Sequence, residues 1–166
     1  MTDDGPKIET YRGEFKDDGF DGSGEYAHLD GRVYKGNWVD NEKYGYGELY
    51  FPEGDVYLGN FENNMRNGEG EFRFKSGANY QGGFKLSLFN GFGVYKYADG
   101  CLYKGHWKSD KKDGPGELYF PNGDTYKGDF MNDKYSSHGE FISESGIKYN
   151  GTFKDGLKHG RGDFLD

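Results

Sequence analysis

The side chains able to do chemistry are few, and their spacing does not bring them together. His28, His106, His138 and His159 could ligate a metal ion, but no H-x3-H pair occurs, and the single Cys101 leaves no C-x2-C. Neither a metal nor a cofactor is expected. Ser136-Ser137-His138 sets hydroxyls beside an imidazole, yet neighbours on an extended chain do not converge as nucleophile, base and orienting carboxylate must. Paired glycines recur as G-x-G, but none extends to G-x-G-x-x-G and no G-K-[ST] follows, so no phosphate cradle is expected. Arg161-Gly162-Asp163 and Asn150-Gly151-Thr152 spell an adhesion tripeptide and a glycosylation acceptor on otherwise ordinary repeat positions. What remains is a series of carboxylates at a fixed interval: Glu25, Glu48, Glu71, Glu117, Glu140 and Asp163. Two carboxylates side by side can do acid and base work. A column of them down a solvent face reads instead as solubilising charge that bears on partner choice. No catalytic residue is expected, and the chain reads as a non-enzyme.

The elements that carry these residues follow from periodicity. Tyr11, Tyr34, Tyr57, Tyr80, Tyr103, Tyr126 and Tyr149 fall 23 residues apart with no insertion, each opening a Y-x-G-x-[FW] motif. A G-x-G-[ED] motif follows in most units, as at Gly45-Tyr46-Gly47-Glu48, with Ser137 and Gly139 in the sixth, and a turn glycine such as Gly54 closes the unit. Residues 1–10 form a polar lead-in, and residues 11–166 form the seven repeats. The 30 glycines exclude an all-α fold, because each interior glycine costs a helix about 1 kcal/mol. Leu, Ile and Val number 16 against 31 aromatic residues, so the core must be built of rings. That supply of rings and a net charge of only -8 argue against the disorder that few aliphatics would suggest. No apolar run is long enough to span a bilayer, Met1–Pro6 lacks the pattern of a secretory leader, and one cysteine fits a reducing compartment, so an intracellular protein is expected.

Within a unit the spacing has period two: in Y-x-G-x-[FW] both rings and the glycine share one face and the intervening residues take the other. Leu49 and Phe51, or Phe72 and Phe74, continue the pattern together with both glycines of G-x-G, while Glu48 or Glu71 looks outward. Pro52-Glu53-Gly54 and Pro121-Asn122-Gly123 read as tight turns. Each repeat is therefore a β-hairpin, and one hairpin alone is marginal. Stacked hairpins predict an all-β, elongated, single-layer antiparallel sheet, a rod of roughly 65 Å at about 4.8 Å per strand.

Tyr34-Lys-Gly-Asn-Trp38 followed by Gly45-Tyr-Gly47-Glu-Leu-Tyr-Phe-Pro-Glu-Gly54 resembles the membrane occupation and recognition nexus repeat, the MORN repeat, and the likeness runs over 11–166. The resemblance implies a non-catalytic scaffold of consecutive hairpins that binds proteins in a cytoskeletal assembly, with the ciliary axoneme as the first expectation. A membrane tether binding acidic phospholipids is the alternative. Against it stand 29 acidic to 21 basic residues, since anionic leaflets attract polybasic segments. The same balance argues against nucleic acid.

The fourth repeat departs from its siblings. Its loop reads Lys85-Leu-Ser-Leu-Phe-Asn90 where others are polar, Phe92 stands between two glycines, and Val94 interrupts the carboxylate column. Leu86, Leu88, Phe89, Phe92 and Val94, extended by Tyr44, Tyr46, Tyr50, Leu58 and Tyr119, are read as an exposed apolar patch for a partner. Carboxylates around such a patch suit an amphipathic helix with basic edges. The last strand, ending at Gly162-Asp-Phe-Leu-Asp166, is read as an uncovered edge for self-association.

Overall fold

Two kinds of turn alternate along the chain and make it a meander. Inside a repeat, two residues at positive φ, such as Asp40 (48°) and Asn41 (69°), form the mirror-image turn whose twist matches antiparallel strands. Between repeats the turn is longer: Phe51 N–H donates to the Asp55 carbonyl, Gly54 N–H to the Phe51 carbonyl, and Gly54 takes φ 105°. The structure, a computed structural model, describes residues 8–166; of the polar lead-in, 1–7 lie outside the described residues. The strands are β1 (Thr10–Lys16), β2 (Gly19–Ala27), β3 (Val33–Val39), β4 (Glu42–Tyr50), β5 (Val56–Glu62), β6 (Met65–Arg73) and β7 (Asn79–Lys85). They continue as β8 (Leu88–Lys96), β9 (Leu102–Lys108), β10 (Lys111–Tyr119), β11 (Thr125–Met131), β12 (Lys134–Ile142), β13 (Lys148–Lys154) and β14 (Leu157–Leu165). All 14 lie in one open sheet, in chain order, each antiparallel to the next.

Two sequence expectations need correction. The six-residue loop of the fourth repeat is a two-residue turn, Leu86 and Ser87 at φ 50° and 67°, and Leu88 already opens β8. Nor do both glycines of G-x-G share the ring face. In the second hairpin Gly36 opposes Gly47 but Trp38 opposes Lys43, so β4 places Tyr44, Gly45 and Tyr46 against Asn37 alone. This is a bulge, and Gly45 takes φ 66° within it. Only the second glycine belongs to the ring face.

There the reason for glycine is close approach. Gly24, Gly36, Gly47 and Gly59 stand in register on successive strands, and a Cβ at Gly47 would fall 2.5 Å from the Tyr34 ring lying over it. The Tyr34 hydroxyl donates to the Asn37 carbonyl at 2.9 Å, the carbonyl opposite the bulge. Each of the seven repeat tyrosines makes this bond to the carbonyl three residues on, at 2.8 to 3.1 Å. The column therefore needs a ring for burial and a hydroxyl for a backbone acceptor, and only tyrosine has both.

Rings join one repeat to the next. Tyr34 meets Trp38 edge-on at 5.1 Å and Phe61 of the following repeat at 5.0 Å, and Tyr57–Phe84 and Tyr103–Phe130 repeat the contact at 4.9 and 5.0 Å. The turns interlock as well. Asn41, Asn64, Asp110 and Asp133 accept from the N–H of Phe20, Lys43, Phe89 and Lys112 in the preceding repeat, at 2.7 to 2.9 Å. The rings form one continuous core along a single sheet.

Candidate functional site

The ring face buries its repeat tyrosines from the second repeat on, with half-buried rings such as Phe51 and Phe74 at its margin, whereas the outward face lies open. The expected carboxylate column does run down the outward face, but its charges are largely satisfied within the chain. Glu25 pairs with Lys35 at 3.0 Å, Glu71 with Arg73 at 2.8 Å and Glu117 with Lys127 at 2.9 Å, and Glu140 pairs with Lys148. Glu48 accepts the Tyr50 hydroxyl. Arg73, together with Asn79, holds the Glu71 carboxyl below its usual range, and the hydroxyl of Tyr119 and the ammonium of Lys127 do the same for Glu117. Two geometries make these contacts: Glu25 faces Lys35 and Glu117 faces Lys127 across adjacent strands, whereas Glu71 and Arg73 are two residues apart on one face of β6. The column is thus a ladder of internal ion pairs rather than a bare acidic strip.

The residues proposed as one apolar patch are dispersed by the fold. Phe89 turns to the ring face, where it stacks on Tyr80 at 3.7 Å and meets Trp107 at 5.5 Å. It belongs to the core, because the two-residue turn at Leu86 and Ser87 sets position 89 opposite Phe84 on the same face. Leu86 and Leu88 sit at the turn edge, exposed. Tyr44 is exposed in the bulge of β4. Val94 lies between Gln81 and Lys104, half-buried. Tyr46 and Phe92 occupy the same repeat position on the outward face and are 56% and 57% exposed. Of the proposed patch, these two remain the rings most open to a partner there.

Each flanks a shallow trough. One is lined by Phe92, His106, Pro115, Lys104, Glu117 and Asp129, with the Phe92 and His106 rings edge to face at 5.8 Å. The other is lined by Tyr46, Leu58, Asn60, Glu69, Arg73 and Gln81. Both have glycine backbone for a floor: Gly105, Gly116 and Gly128 in the first, Gly59 and Gly70 in the second. The walls are side chains two residues apart on a strand, so about 7 Å separates them. A helix of 10–12 Å diameter cannot enter between walls so closely set, so a segment that reaches the floor must be extended.

One column was missed by sequence reasoning altogether. Phe20, Phe89 and Tyr135 stack on the repeat tyrosines at 3.7 to 3.8 Å, and in the other repeats the same position holds a cation. Lys43, Arg66, Lys112 and Lys158 lie over Tyr34, Tyr57, Tyr103 and Tyr149, 4.5 to 5.6 Å from the ring centres. Lys43 is buried and makes no ion pair among the described residues; its Nζ lies 3.3 Å from His28 Nε2, and burial pushes its pKa down. The signal was present in the 23-residue frame, where this position holds only rings or cations, an exchange that cation–π packing permits. Among the described residues no three His, Cys, Asp or Glu side chains cluster as metal ligands would.

The family model of the MORN repeat matches residues 11–31, 34–56, 57–78, 80–102, 103–125, 126–148 and 149–165. No curated protein matches the chain. Among solved structures, the TCP domain of SAS-4 (dCPAP) of Drosophila melanogaster, in complex with a proline-rich motif of dSTIL, is 14% identical. The match covers 95% of this chain and 90% of that one, with a TM-score of 0.55, and is a likeness of fold. The G-box domain of the microcephaly protein CPAP is 13% identical over 87% of this chain and 86% of that one, with a TM-score of 0.39.

Proposed function

Because the chain belongs to the MORN repeat family, we propose that it is a non-catalytic scaffold that holds an extended segment of a partner protein along its outward face, within a cytoskeletal assembly. The observation that carries this reading is the pair of open rings, Tyr46 and Phe92, beside glycine-floored troughs too narrow for a helix. An amphipathic helix, the partner anticipated from the apolar patch, would ride on the walls without reaching the floor. A proline-rich segment is the first probe: its extended form is set before binding and it favours aromatic surfaces. The SAS-4 domain of similar fold is itself complexed with a proline-rich motif. The ciliary axoneme is the first assembly to test, on the strength of the family resemblance.

The test compares three proteins in capture from a native lysate: wild type, the Tyr46→Asp/Phe92→Asp variant and the Leu86→Asp/Leu88→Asp variant. The proposal expects the outward-face variant to lose cytoskeletal proteins that the turn-edge variant keeps. Loss by the turn-edge variant alone would move the site to the turns. Equal capture by all three, with flotation on anionic vesicles, would overturn the reading in favour of the membrane alternative.

A further inference from the structure

The two ends of the sheet carry a second surface, independent of the outward troughs. Among the described residues β1 and β14 are the terminal strands, each with one neighbour. At every internal junction an even strand meets the next odd strand in one register: Gly24 opposes Gly36, Glu25 opposes Lys35 and Tyr26 opposes Tyr34. Carrying that register from β14 onto β1 of another copy sets Gly162 opposite Gly13, Phe164 opposite Tyr11, Asp163 opposite Arg12 and Arg161 opposite Glu14. Both charged pairs have opposite signs. All four of these side chains are exposed, and none makes an ion pair within the described residues.

The rings tell the same story. Trp38 and Phe61 are 4% and 3% exposed because the tyrosine of the preceding repeat packs against them, whereas Phe15, at the same position in the first repeat, is 60% exposed. Tyr149 in the last repeat lacks the complementary contact that Tyr126 receives from Phe153. Joining β14 to β1 supplies each with the partner the other lacks. The turn interlock extends too. Asp18 stands where Asn41 and Asp110 accept a backbone N–H, and the N–H it would cap is that of Lys158 on another copy.

We propose that copies of this chain associate head to tail, β14 of one pairing with β1 of the next, so that the 23-residue register continues across the junction. Such a contact is heterologous and does not close on itself, so it yields open chains rather than a dimer. A tail-to-tail pair of β14 strands would leave Phe15 exposed and Asp18 without its N–H.

The experiment is sedimentation equilibrium over a hundredfold dilution series on wild type and two charge-reversed variants. One carries Arg12→Glu and Glu14→Arg on β1; the other carries Arg161→Glu and Asp163→Arg on β14. Wild type should rise past two protomer masses with concentration. Each variant alone should stay at one protomer mass with an unchanged circular dichroism spectrum, and an equimolar mixture should assemble again, because the reversed edges complement each other. A monomeric wild type throughout would overturn the proposal. So would a β1 variant that still dimerises alone, since that result assigns the contact to β14 pairing with itself.

Discussion

The ring face and the outward face are made by the same strands, yet they obey opposite rules. On the ring face one position is Tyr in all seven repeats, because a single side chain must cover two glycines and cap a carbonyl. On the outward face one position reads Ser23, Tyr46, Glu69, Phe92, Pro115, His138 and Arg161, seven different residues in seven repeats. Uniformity marks where the repeat holds itself together. Variety marks where one repeat can differ from the next without harm to the fold, so a stacked array can carry distinct binding groups on a constant frame.

High pH should break the comparison most violently. Burial raises the Tyr34 phenol from 10.0 to about 12, and it raises Tyr57, Tyr80, Tyr103 and Tyr126 further. Below pH 10 these phenols are protonated in both the folded and the unfolded chain, so stability does not depend on them. Above it the unfolded chain releases protons that the fold retains, and each phenol then costs about 1.4 kcal/mol per pH unit. Five such groups should unfold the sheet before pH 12, with tyrosinate absorbance and loss of near-ultraviolet dichroism rising together. Ring-face phenols that titrate while the dichroism persists would show that this face is not sealed.

A single methyl group should come next. Gly47→Ala places a carbon 2.5 Å from a fully buried ring that has no room to move. A loss of about 3 kcal/mol is expected, at the upper end for overpacking. Urea unfolding measures it, and a loss under about 1 kcal/mol would mean that Tyr34 yields, against the tight packing expected of protein cores.

How far the fold could be read from sequence follows the same division. Period-two spacing around Tyr34, Gly36 and Trp38 was enough to identify the strands and their buried face, because those residues are consecutive in a regular strand. Alternation then fails at the bulge. Three residues of β4 oppose one of β3, so counting by twos from Gly47 carries Gly45 to the ring face along with Lys43, although only Lys43 is there; its charge hid that placement. Phe89 looked like a loop residue beside Leu88 for another reason, a turn read as six residues that is two, and it stacks on Tyr80. The ion pairing of the carboxylate column was hidden for a different reason. Glu25 and Lys35 lie ten residues apart, and only the strand register makes them neighbours. Of the candidate site, Tyr46 and Phe92 were legible as outward rings; the trough walls that include Asn60, His106 and Pro115 were not.

The turns give a smaller and opposite effect. Leu86 holds φ 50° at a position that other repeats fill with Asp17, Asp40, Asn63, Ser109, Asn132 and Asp155, and it is 64% exposed. A branched apolar side chain pays for the left-handed region with no local hydrogen bond in return. Leu86→Asn should therefore stabilise the protein by about 1 kcal/mol, read as a higher urea midpoint with an unchanged slope. A lower midpoint would show that Leu86 contributes burial despite its exposure.

The smallest stability effect carries the sharpest contrast. Tyr46→Ala and Phe92→Ala each remove an open ring from the outward face, where neither fills the core cluster nor, in the case of Phe92, bonds to anything but the flank of His106. Surface changes of this kind usually stay within about 0.5 kcal/mol. The same truncations remove the two aromatic anchors of the proposed partner site, and anchors of that type cost 2 kcal/mol or more when truncated, roughly a thirtyfold loss of affinity. Binding and stability should thus separate on the outward face, whereas a ring-face change such as Tyr57→Phe must disturb both, since it strips a hydroxyl that donates to the Asn60 carbonyl at 2.8 Å. Titration of a captured partner against each variant, beside its urea midpoint, decides the matter. If the outward truncations lowered stability as much as the ring-face change, the two faces would share one structural role and the outward rings would lose their claim to a partner.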